Sequence, residues 1–127
     1  MTDAQFLAAF EDTTLEPFHH GDHIRAGWIY LREYPLLEAI PRFIGALRRY
    51  ATSRGAPDRY HETVTLAFLL LIFESMDRAE AETWDDFAVR HPDLMRWNPS
   101  ALAAYYRAET LATNDARARF VLPDAGP

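Results

Sequence analysis

Five histidines give this chain its widest range of chemistry, and four of them stand in two groups. His20 and His23, with Asp22 between them, are three residues apart, so on a helix they share a face about one turn apart. Two imidazoles so placed can bind one metal ion, as ligands projecting inward do in helical bundles. His61 and Glu62 stand at the head of the apolar run 66–73 and offer a third nitrogen and a carboxylate. Three nitrogen or oxygen ligands with one open position make the pattern of catalytic zinc or non-haem iron, and imidazole also suits copper(II). Asp22 and Tyr60 would orient the ligating rings from behind, with the Thr65 hydroxyl in the same pocket. The expectation is therefore a small metalloprotein acting on a small molecule as a metal-dependent hydrolase or oxidoreductase. His20, His23 and His61 are its ligands, and Glu62 is its general base or a further ligand.

The same residues admit a plainer reading. A His-x-x-His pair arises often by chance, and Asp22 and Glu62 suit the first turn of a helix whatever else they do. His61 can be a satisfied core histidine, and Thr63 and Thr65 can bond back to carbonyls one turn earlier. The alternative is thus a metal-free helical module that binds a small molecule or a protein and holds its His and Glu in a hydrogen-bond network. A third reading is a dimerising structural protein that uses Trp84 and Trp97. His91, before Pro92, reads as a helix cap, and Arg25 as one half of a salt bridge. Of Tyr105 and Tyr106 one belongs to the core, while Arg107, Arg117 and Arg119 are solvated. Ser53, Ser75 and Ser100 lack a glycine elbow, and no phosphate-binding glycine motif occurs.

The elements that must position these groups are helices. Apolar residues recur at helical spacing over 4–12, from His19 or His20 to Tyr34, and over 36–54, where Pro41 falls inside a stripe that keeps its phase. Gly55 is a C-terminal cap, and a central helix follows over 59–78. Its run 66–73 has no polar face over two turns, so it should be covered on all sides. It is also well below the roughly 20 apolar residues that span a bilayer. After the acidic link 80–82, Thr83 and Asp86 cap a fifth helix over 84–90; a sixth starts at 98–100 and reaches Leu111; Asn114 caps a last turn over 115–120. No stretch alternates at period two. The fold class is all-α: a compact single domain over 1–127, with five to six helices around a buried central one and 119–127 as an extended tail.

Composition narrows the partners. Cysteine is absent, which removes disulfides and thiolate metal sites and leaves zinc, iron or copper(II) on imidazole and carboxylate. The net charge is −6 and every basic side chain is arginine. An acidic chain without a basic stripe does not suit nucleic acid, whose binding rests on neutralising phosphates. The polar, acidic start points to the cytoplasm rather than to export or a membrane. The expected partner is a small-molecule ligand or substrate, with a homodimer as the protein partner.

The segments Phe18-His19-His20-Gly21-Asp22-His23-Ile24-Arg25-Ala26-Gly27-Trp28 and Tyr60-His61-Glu62-Thr63-Val64-Thr65 resemble those of small bacterial helical proteins, as do Tyr105-Tyr106 and Ala116-Arg117. That group carries no established activity. The resemblance implies only that His20, Asp22, His23, His61 and Glu62 form one constellation.

Overall fold

The computed structural model describes residues 1–77 and 81–126. Among these residues the chain is all-α, with eight α-helices, two short 3₁₀ turns and no strand. Its contacts fall into two compact units, Met1–Tyr60 and His61–Pro127.

In the first unit α1 (Asp3–Glu11), α2 (His20–Glu33) and α3 (Leu36–Ser53) pack on one another. Thr2 opens α1 in a reciprocal box: its hydroxyl accepts the Gln5 N–H, and the Gln5 side chain accepts the Thr2 N–H. Pro35 separates α2 from α3, and α3 continues through Pro41 as the unbroken apolar phase requires. Gly55 follows α3 with φ +69°, the left-handed conformation that a side chain disfavours. The core is aromatic. Phe10 is fully buried, stacks on Phe18 at 5.1 Å and meets the Tyr50 ring at a tilt at 5.8 Å. The Tyr50 hydroxyl donates to the Leu15 carbonyl at 2.6 Å, and Arg54 donates to the Thr13 and Leu15 carbonyls at 3.0 and 3.1 Å. The end of α3 thereby fixes the connection that leads into the first turn of α2.

In the second unit α4 (Glu62–Ser75) packs on α8 (Asn114–Ala118) and on a 3₁₀ turn, Ala101–Ala104. The central helix is shorter than the expected 59–78. Pro57–Arg59 forms a separate 3₁₀ turn, His61 caps α4, and Met76 is already extended. Residue 78, and Glu80 of the acidic link, lie outside the described residues. Ala67, Phe68, Leu69 and Ile72 are buried, but Leu70 is 38% exposed, so the helix is not covered on every side.

Thr83 and Asp86 form the expected box at the start of α5 (Trp84–Arg90), and the His91 N–H closes that helix on the Phe87 carbonyl before α6 (Pro92–Met95) begins. The expected sixth helix is not continuous. It is split into the turn Ala101–Ala104 and α7 (Ala108–Leu111), because the Tyr105 carbonyl accepts the N–H groups of Asp124 and Ala125 instead of serving a helix. The cap of α8 is Thr113 rather than Asn114: its hydroxyl accepts the Ala116 N–H at 3.1 Å. No helix among the described residues is long and apolar enough to cross a membrane.

Candidate functional site

At the head of α4 the side chains of His61 and Thr63 find their partners in the chain's own backbone. His61 stands at the N-cap, where its Nδ1 accepts the Val64 N–H at 3.1 Å. Its Nε2 lies 2.7 Å from the Leu111 carbonyl oxygen. A carbonyl only accepts, so Nε2 carries the hydrogen and Nδ1 the lone pair, and one neutral tautomer satisfies both bonds. Both ring nitrogens are engaged. Two residues on, Thr63 is fully buried. Its hydroxyl lies 2.7 Å from the Ala116 carbonyl and 2.9 Å from that of Arg119, and it accepts the Val121 N–H at 3.1 Å.

Further polar ties hold the chain beyond α8. The Tyr106 hydroxyl donates to the Val121 carbonyl at 2.7 Å. Burial pushes that hydroxyl's pKa up, and the charge of Asp124 adds to the effect. The Asp124 carboxylate accepts the Thr110 hydroxyl and, at 3.0 Å, the Arg107 N–H. Those two bonds, the hydroxyl first, hold it below the usual carboxylate range.

The other expected site residues belong to different surroundings. His20 is the first residue of α2 and His23 lies one turn on, its ring 4.2 Å from that of Phe18. Burial, aided by the nearby His20, pushes His23 down to about 4. The Asp22 carboxylate accepts the His19 N–H at 2.9 Å, a bond made at the helix start. Tyr60 lies under the Arg48 guanidinium, 5.0 Å from the ring centre. Glu62 is the first residue of α4, and the Thr65 N–H donates to the His61 carbonyl at 3.0 Å within the first turn. Asp22, His20, His23 and Tyr60 fall in the first unit, and His61, Glu62 and Thr65 in the second. Among the described residues, no three His, Asp or Glu side chains gather as a metal ion would need.

The residues outside the constellation resolve as follows. Arg25 pairs with Asp3 at 3.0 Å and lies over the Phe6 ring. Tyr106 is buried and Tyr105 is exposed. His91 ends α5 with its ring 4.6 Å from Phe87, and its buried Nε2 meets no hydrogen-bond partner among the described residues.

Sequence reasoning missed a cleft of about 370 Å³ on the second unit, lined by Asp77, Glu82, Asp85, Asp86, Val89 and Arg90. Glu82 is buried and ion-paired with Arg90, whose guanidinium also lies 3.7 Å from Asp77. The one signal for this pair was an acid eight residues before a base, a spacing that on one continuous helix would leave them about 12 Å apart; Glu82 instead precedes α5. The chain matches no protein-family model, no curated protein and no solved structure.

Proposed function

We propose that this chain is a metal-free helical module that works by binding a protein partner. The observation that carries the reading is His61, whose two nitrogens hold the Val64 N–H and the Leu111 carbonyl and so leave no lone pair for a metal. Together with the fully buried Thr63, the polar head of α4 serves to fasten the chain's own later segments. Apolar side chains at the surface of the same unit, Val89 at 80% exposure and Trp97 at 59%, supply contact area for a partner.

A second reading keeps the metal. His20 and His23 stand one turn apart on α2, the spacing at which two imidazoles can share a zinc, iron or copper(II) ion.

Native mass spectrometry and elemental analysis of tagless protein, before and after incubation with zinc, iron(II) and copper(II), separate the two. The module reading expects the metal-free mass throughout, in wild type and in a His20→Ala/His23→Ala variant. Near-stoichiometric metal in the wild type that disappears from the variant would overturn it and establish the metal centre.

A further inference from the structure

We propose that residues 119–125 form a strap over the head of α4 that opens as one unit while the helices beneath stay folded. The strap is fastened by polar ties. The Val121 N–H and the Arg119 carbonyl meet the Thr63 hydroxyl, and the Val121 carbonyl takes the Tyr106 hydroxyl. Asp124 is the clasp: its carboxylate accepts from Arg107 and Thr110, and its N–H and that of Ala125 donate to the Tyr105 carbonyl at 3.0 and 2.9 Å.

Apolar packing contributes little to the strap. Leu122 is 76% exposed, and Phe120 and Val121 are only half-buried. The helix below is held differently, through the fully or nearly fully buried Phe68, Leu69 and Ile72. Hydrogen-bonded groups regain water as a partner on release, whereas buried apolar surface does not, so the strap opens at a lower free energy than the core. Opening uncovers the Thr63 and Tyr106 hydroxyls. Thr63 keeps the Ala116 carbonyl as its acceptor at 2.7 Å, so the opened site offers the Thr63 oxygen to an N–H and the Tyr106 hydroxyl to a carbonyl of another extended chain. The strap therefore gates the head of α4, and it does so whichever partner the module binds.

Native-state hydrogen exchange in low urea tests this on the wild-type chain. The amides of Arg107, Val121, Asp124 and Ala125 should exchange together, at least about tenfold faster than those of residues 68–72 and with a shallower urea dependence. Asp124→Ala should speed the remaining strap amides by about another tenfold, the effect of losing charge-assisted bonds, and leave residues 68–72 unchanged. Leu122→Ser should change neither set. Strap amides that share the rate and urea slope of residues 68–72 would overturn the proposal, whatever the variants do. So would an Asp124→Ala variant that accelerates both sets equally, or a Leu122→Ser variant that loosens the strap.

Discussion

Thr63→Val is the sharpest probe of the second unit. The substitution keeps the branched shape of a fully buried side chain and removes only its hydroxyl. That hydroxyl serves the Val121 N–H and lies within bonding distance of two carbonyls, of Ala116 and Arg119. A buried donor left without an acceptor costs about 1–3 kcal/mol, and the carbonyls lose their donor as well. The added methyl offsets less than about 1 kcal/mol of this. The expected destabilisation is about 2 kcal/mol, which at a urea slope of about 2 kcal/mol/M lowers the midpoint by about 1 M with the slope unchanged. Far-UV circular dichroism across a urea titration measures it, with Thr65→Val as the control. Thr65 is half-buried, so its loss should stay within about 0.5 kcal/mol. If the two units unfold separately, only the transition of the His61–Pro127 unit should move. Equal midpoints for the two variants, or a shift confined to the other unit, would refute the assignment of Thr63 as the fastening point.

Two further outcomes are expected. His61→Ala should destabilise the chain by about 1–2 kcal/mol in the same urea assay, and His61→Asn should recover about half by capping Val64 again while leaving the Leu111 carbonyl without its donor. The neutral form of His23 is favoured by the fold, since its pKa falls from 6.5 to about 4, so the unfolded chain takes up its proton first as pH drops. Stability from this group is intact above about pH 6.5 and is lost as pH falls from there toward 4. The loss amounts to about 2 kcal/mol between pH 7.5 and pH 5. The difference in urea midpoint between wild type and His23→Gln across that range checks it, and parallel pH profiles would exclude His23 as the source.

Local signals read the helices well wherever the competition was local. The box at Thr83 with Asp86 and the left-handed Gly55 each lie within a few residues of the element they bound. The failures share a cause. The stretch 98–111 keeps a helical stripe in its sequence, yet the Tyr105 carbonyl is taken by amides about twenty residues later, and periodicity carries no trace of them. At α8 two good caps stand side by side, and Thr113 prevails because its hydroxyl reaches the Ala116 N–H. The candidate site divides in the same way. That polar residues gather at the head of α4 was legible. That His61 would face Leu111, and Thr63 the residues 116–121, was not, since those partners lie 50 residues or more along the chain.

That separation sets the order in which the chain can complete itself during synthesis. The contacts within the first unit can all form once Tyr60 has been made. Thr63 must wait for Ala116 and Val121, which are 53 and 58 residues further on. From Ser75, the end of α4, to Val121 the nascent chain needs about 2–9 s at roughly 5–20 residues per second, and it carries the helix that long before its fastening segment exists. Throughout that interval the run 66–73 lacks the cover that α8 gives it. Slowing translation just after α4 should therefore raise the insoluble fraction, whereas a pause before residue 60 should not.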